Sequence, residues 1–262
     1  MARRMTLADL RTLKGKRQIV TLHVDDHREA SAAASAGIEM LTCEVDAMLP
    51  RIRAAAPMVF IQAAHTQGTL ASEESAIRAG FKALEMGADA IYFAGSLRLV
   101  EAKAREGIPV SGHVGLVPRW ATWTNYRAIG KTVKEAVALY HRIKGYENAG
   151  AALVEMEVVP VEVADWLTKS TALITEGMGC GNVCDTQYMF SCDVLGSHTG
   201  HYLRHAKRYA DLAAEQARLQ HMRREAFRAF ADDVKAGGYP EPRHEIRLDE
   251  SMVDAARAKL RP

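Results

Sequence analysis

The chain has 262 residues, 34 of them basic and 32 acidic, for a formal net charge of +2. That balance excludes nucleic-acid or membrane-surface binding driven by bulk charge, and no run approaches the roughly 18 apolar residues of a membrane span. The length suits one large domain such as an α/β barrel, and a hydrophobic share of 48% is enough to build a sizeable core.

The N-terminal stretch starts basic but has no apolar core and no small-residue cleavage site, and Asp9 interrupts it, so no signal peptide is expected. Cys43, Cys180, Cys184 and Cys192 are too few for a disulfide framework in a chain of this size. A reducing, cytoplasmic location is the expectation.

A short helix opens the chain from Thr6 to Leu13, with Thr6 as its N-cap. Short apolar runs then alternate with Ala-rich helical segments. The spacing predicts strands near 18–24, 38–45, 58–64, 90–94, 110–116, 152–159, 172–176 and 191–195. Helices are predicted near 28–36, 74–86, 97–106, 134–148 and 161–169. Gly37, Gly87, Gly107 and Gly150 each stand where a helix must turn into the next strand. Regular β-then-α alternation means parallel strands under covering helices. Eight such units point to a closed (β/α)8 TIM barrel. A charged helix over about 202–230, a Gly/Pro loop at 236–243 and a final helix from Ser251 follow. Residues 1–262 are therefore read as one barrel domain with a helical C-terminal extension over about 202–262.

The active site of a parallel barrel forms at the C-terminal strand ends. The polar residues there are Asp25, Asp26 and His27 after the first strand, Glu44 and Asp46 at the second, and His65 after the third. His113 stands at the fifth, Glu155 and Glu157 in the sixth, and Glu176 at the seventh. A carboxylate inside an apolar strand is costly unless partnered or used. Glu155 and Glu157 share facing parity, because strand side chains alternate.

Several motifs then carry a resemblance. Ser111-Gly-His-Val-Gly-Leu-Val-Pro118 resembles the Gly-His-Leu-Gly-Leu-x-Pro segment of ketopantoate hydroxymethyltransferases. Ala149-Gly-Ala-Ala-Leu-Val-Glu-Met-Glu-Val-Val-Pro160 is similar to that family's sixth strand, and Gly177-Met-Gly-Cys-Gly-Asn-Val-Cys-Asp-Thr-Gln187 to its glycine-rich turn. Asp193-Val-Leu-Gly196, Ala206-Lys-Arg-Tyr209 and Gly238-Tyr-Pro240 follow in register, so the likeness runs over about 17–245.

The resemblance implies a barrel like those of the phosphoenolpyruvate mutase and isocitrate lyase enzymes, which work on 2-oxoacid enolates. It implies transfer of a one-carbon unit from 5,10-methylenetetrahydrofolate, as co-substrate, to C3 of 3-methyl-2-oxobutanoate. Glu157 falls on the family's catalytic base and His113 on its active-site histidine. A bound magnesium ion and a homo-oligomer are implied in the same way.

The departures fall on the metal site. The first metal carboxylate matches Glu44, with Asp46 as a competing candidate, and the serine after it is Val45. The second falls on Ala64, the third on Ala94, and the substrate-anchoring lysine becomes Tyr92. Magnesium prefers hard oxygen ligands in octahedral array, so either another donor replaces the lost carboxylates or the chemistry has changed. Tyr92, His65 and His113 are the donors in place, and Glu155, with no family counterpart, is a further candidate for binding substrate.

Three functions stand side by side. The first is a hydroxymethyltransferase-like enzyme with Glu157 as base. The second is a metal-independent aldolase or lyase on a different oxoacid, and the third an inactive barrel kept as a binding or assembly module. Cys180, Cys184, Cys192, His198 and His201 invite a zinc reading, but packing explains them. Gly177, Gly179 and Gly181 are read as tight backbone passage rather than a phosphate loop. Trp120, Trp123 and Tyr126 either stack on a pterin or pack at a subunit interface.

Overall fold

Eight short strands pair in parallel, each with the next, and the eighth closes on the first. The computed structural model describes residues 3–65 and 70–260, and the chain forms two compact units, Met1–Ala210 and Asp211–Pro262.

In the first unit α1 (Leu7–Leu13) precedes β1 (Ile19–His23), α2 (His27–Ser35), β2 (Met40–Glu44), α3 (Leu49–Ala55), β3 (Phe60–Ala64) and α4 (Glu73–Glu85). Then come β4 (Ala90–Tyr92), α5 (Leu97–Arg105), β5 (Val110–Gly115), α6 (Val133–Asn148), β6 (Leu153–Glu157) and α7 (Val161–Lys169). β7 (Ile174–Met178), β8 (Thr186–Phe190) and α8 (Ser191–Leu195) complete it. Thr6 caps α1 as expected, in a reciprocal pair with Asp9. The four glycines at helix-to-strand turns all have positive φ, between 74° and 113°.

The eighth strand lies elsewhere than the sequence suggested. Residues 191–195 form α8, which Gly196 closes at φ 63° by donating to Asp193 and Cys192 carbonyls. A five-residue apolar run is too short to show its period. Thr186–Phe190 instead pairs with β1 along its full length and alternates, with Thr186 and Tyr188 buried.

The barrel interior is layered. At its floor Ile19, Met40, Phe60, Leu153 and Ile174 pack with Leu10 of α1, each no more than 1% exposed. Each such side chain contributes roughly 1.5–3 kcal/mol by leaving water. Below them Lys14 reaches Asp185 at 2.6 Å, and Asp185 also accepts from Thr175 N and Oγ1 at 2.9 Å. Above the floor the inward positions turn polar: Thr21, Thr42, Gln62, Ser111, Glu155 and Glu176 are all buried. The outward positions stay apolar. Leu41, Cys43, Ile61 and Ala63 pack on Ala30, Leu49 and Ile52 of the covering helices, while Val154 and Met156 pack on Ile143 and Leu167.

The second unit contains α9 (Leu212–Lys235) and α10 (Glu250–Lys259), capped by Asp211 and Asp249. The tail helix thus begins at Leu212 and not at Tyr202, because Asp211 accepts from Ala214 N and starts it there.

Candidate active site

The alternation of the strands brings the top layer of inward side chains into one cavity of about 260 Å³ at the C-terminal barrel mouth, at the lower end of small-ligand sites. Glu44, Tyr92, His113, Glu155 and Glu157 all line it, together with His23, Thr42, Gln62, Ala64, Tyr188 and Phe190. His65 and Asp46 are not among the lining residues. His65 makes a backbone hydrogen bond with Ala79, and burial, then the nearby Lys103 charge, push its pKa down to about 4. Asp46 Oδ1 accepts from Met48 N at 2.7 Å, an Asx turn leading into α3. Asp26 caps α2 through Arg28 N and Glu29 N.

Strand register sets the central contacts. His113 lies opposite Glu155, and Glu155 opposite Glu176. His113 Nδ1 is 2.7 Å from the Tyr92 hydroxyl and 3.5 Å from Glu155 Oε2. His113 Nε2 is 3.4 Å from Glu157 Oε2 and has no hydrogen-bond partner. Deeper in, Gln62 Nε2 donates to both Glu155 and Glu176 at 3.1 Å, and Ser111 Oγ donates to Glu176 at 2.8 Å. Burial pushes Glu176 up to about 7. Burial, then the Glu176 and Glu157 carboxyls, raise Glu155 well above the usual carboxylate range. Both effects favour the neutral form of the Glu155 carboxyl. On the opposite wall Thr42 Oγ1 donates to the Tyr188 hydroxyl at 2.9 Å and lies 3.0 Å from His23 Nδ1.

The backbone beside Glu157 is held in a sparsely populated conformation. Val158, a β-branched residue, has φ 50°, which costs about 1–3 kcal/mol and marks sites where strain is maintained. Gly115, at φ 89°, is required there: a Cβ would sit 2.1 Å from the Glu157 carbonyl oxygen. That carbonyl instead accepts from Leu116 N at 2.9 Å. Gly179, at φ 70°, leaves room for its neighbours: a Cβ there would sit 3.0 Å from the His205 ring and 3.4 Å from Val158.

A magnesium ion held by strand-end carboxylates does not fit these residues. Glu44 pairs in register with Ala64 and Ala64 with Tyr92, so the two strands next to Glu44 offer a methyl group and a phenol in place of carboxylates. Among the described residues, the one group of three His, Cys, Asp or Glu ligand atoms within 4.8 Å of one another is Cys192, Asp193 and His198, none of which lines the cavity. His198 Nδ1 accepts from Gly200 N at 3.2 Å, so Nε2 carries the proton and donates to Asp193 at 3.0 Å. That tautomer leaves no lone pair for a metal. Cys180 is buried, its thiol donating to the Met156 carbonyl at 3.0 Å.

The polar middle layer of Thr42, Gln62 and Ser111 did not stand out in the sequence, although each sits two residues before a mouth position and shares its parity. Tyr188 and Phe190 were hidden by the misplaced eighth strand.

The comparisons with known proteins bear on this mouth. The ketopantoate hydroxymethyltransferase family matches residues 41–242. A 3-methyl-2-oxobutanoate hydroxymethyltransferase of Chloroflexus aurantiacus is 35% identical over 192 residues, 72% of this chain and 66% of that protein. One of Cenarchaeum symbiosum is 34% identical over 68% of this chain and 67% of that protein. The chain spans about two thirds of the length of such relatives. Among solved structures, 2,3-dimethylmalate lyase, a member of the PEP mutase/isocitrate lyase superfamily, aligns with TM-score 0.51 at 16% identity over 96% of this chain and 98% of that one. Phosphonopyruvate hydrolase aligns with TM-score 0.53 at 12% identity over 97% and 96%. At those identities the structures speak to the fold alone. With its Gly115–Glu157 approach, its His113 and its barrel in place, the chain belongs to the ketopantoate hydroxymethyltransferase family.

Proposed function

We propose that the protein makes or breaks a carbon–carbon bond next to the carbonyl of a small 2-oxoacid, in the manner of a hydroxymethyltransferase. Glu157 acts as the base that removes the C3 proton, and His113 supports the oxygen on which charge develops. The reaction that fits the family is one-carbon transfer from 5,10-methylenetetrahydrofolate to 3-methyl-2-oxobutanoate. The observation that carries this reading is the convergence of Glu157 and His113, 3.4 Å apart, on one cavity at the barrel mouth. A homo-oligomeric, cytoplasmic protein is proposed on the strength of the family.

A second reading is favoured by the Ala64 and Tyr92 neighbours of Glu44: a metal-independent aldolase or lyase acting on a different oxoacid. Incubation of the protein with 3-methyl-2-oxobutanoate, methylenetetrahydrofolate and magnesium separates the two. Formation of the hydroxymethylated oxoacid supports the first reading. Its absence, with cleavage or condensation of another oxoacid, supports the second. An inactive barrel serving as a binding module predicts no turnover of any oxoacid, and a biological role that survives Glu157→Gln.

A further inference from the structure

We propose that Glu157, His113 and Tyr92 form a neutral proton relay that moves the proton taken from the substrate carbon to the substrate's carbonyl oxygen, so that the reactive species is an enol. This deepens the reading above and rests on Glu157 as the base.

The imidazole of His113 bridges the other two groups, with Nδ1 2.7 Å from the Tyr92 hydroxyl and Nε2 3.4 Å from Glu157 Oε2. All three line the same cavity, while His113 itself is only 1% exposed. Nε2 lacks a hydrogen-bond partner, which is the open end of a chain completed when Glu157 carries a proton. The mouth needs such a device because the two strands next to Glu44 offer Ala64 and Tyr92 where a cation would require carboxylates.

Glu155 explains why the imidazole passes the proton on. Its Oε2 lies 3.5 Å from His113 Nδ1, where a second ionised carboxylate, added to Glu157, would favour an imidazolium. Burial and the neighbouring carboxyls push the Glu155 pKa up and so favour its neutral form, and Gln62 donates to its other oxygen. With Glu155 biased to its neutral form, Glu157 is the carboxylate left to exchange a proton with the ring, through Nε2.

Glu157 takes the proton from carbon, and the C–H electron pair becomes the new C=C bond. The carbonyl π pair takes the proton of the Tyr92 hydroxyl. Tyr92 oxygen takes the proton from His113 Nδ1, and Nε2 receives the one held by Glu157. One proton has moved from carbon to oxygen, Glu157 and Tyr92 are restored, and the ring is left in its other neutral tautomer. When the enol attacks its electrophile, the O–H proton returns along the same chain to Glu157, which gives it to the electrophile atom that took up the electron pair of its broken π bond, and so the relay is reset.

Deuterium exchange at the carbon next to the carbonyl, followed by proton NMR in D2O, tests this without a second substrate. The probes are pyruvate, 2-oxobutanoate and 3-methyl-2-oxobutanoate, each with and without EDTA. The relay predicts that the wild type exchanges at least one of them at the same rate with and without EDTA. It predicts that Tyr92→Phe, which removes a single oxygen, lowers that rate by about 100-fold with little change in KM. His113→Gln, which keeps a polar side chain but has no second tautomer, gives the same loss and guards against a misfolded Tyr92 variant. Exchange that EDTA abolishes and magnesium restores overturns the relay, as does a Tyr92→Phe rate equal to wild type. No exchange of any probe by the wild type removes Glu157 as base, and the relay with it, a result distinct from either of those.

Discussion

The two ends of the barrel interior are built to opposite rules. At the floor, Ile19, Met40, Phe60, Leu153 and Ile174 close on Leu10 with no polar atom among their side chains. One layer up, Gln62 Oε1, Glu176 Oε1 and His113 Nε2 are buried without hydrogen-bond partners, and the Val158 backbone is strained. Each orphaned polar atom costs on the order of 1–3 kcal/mol. Stability thus resides in the floor, and the mouth holds an arrangement that packing alone would not choose.

The sharpest way to break this contrast is to remove function without touching stability. Glu157→Gln keeps the shape of a side chain at the mouth, so thermal unfolding stays near wild type while turnover falls by about 1000-fold; steady-state kinetics beside a melting curve read both. The converse change is Phe60→Ala, at 1% exposure in the floor. It lowers unfolding free energy by roughly 3–5 kcal/mol in urea titrations, while kcat of the remaining folded enzyme at low temperature changes little.

A smaller effect concerns pH. Glu176 is raised from 4.5 to about 7 in the folded protein, so the native state binds the extra proton. Its contribution to stability is complete below pH 4.5, the unfolded value, and is lost as pH rises through about 7. Wild-type stability therefore declines between pH 5 and 8, by on the order of 2 kcal/mol from this group. Glu176→Gln flattens that slope, and urea titrations at several pH values measure it. The smallest effect is expected from Asp46→Ala, which removes one exposed hydrogen bond to Met48 N. Stability drops by about 1 kcal/mol or less, and activity is unchanged because Asp46 lies outside the cavity.

Much of this contrast is legible in the amino-acid sequence alone. The order of the first seven strands, Thr6 as a cap, and Glu157 and His113 at the mouth all follow from patterns local to a few residues, whereas the short α3 (Leu49–Ala55) is not among the predicted helices. The position of β8 does not, because Ser191–Leu195 and Thr186–Phe190 are equally short and apolar. Gly196, an available helix stop, is the signal that distinguishes them. The Tyr92–His113 contact and the Gln62 bridge between Glu155 and Glu176 depend on residues 21, 93 and 114 positions apart. Only the register of a closed barrel brings such residues together, and register is invisible in a single sequence. His65 illustrates the reverse: a histidine one residue past β3 has the right address by sequence, but its ring turns to the backbone of Ala79 in α4.

A crystal structure of the protein with a bound 2-oxoacid tests the central claim most directly. With 3-methyl-2-oxobutanoate, the C3 carbon is predicted to lie within about 3.5 Å of the Glu157 carboxylate, with the keto oxygen at the Tyr92 hydroxyl. An oxoacid seated away from the mouth, or a Glu157 side chain turned out of the cavity in the complex, would contradict it.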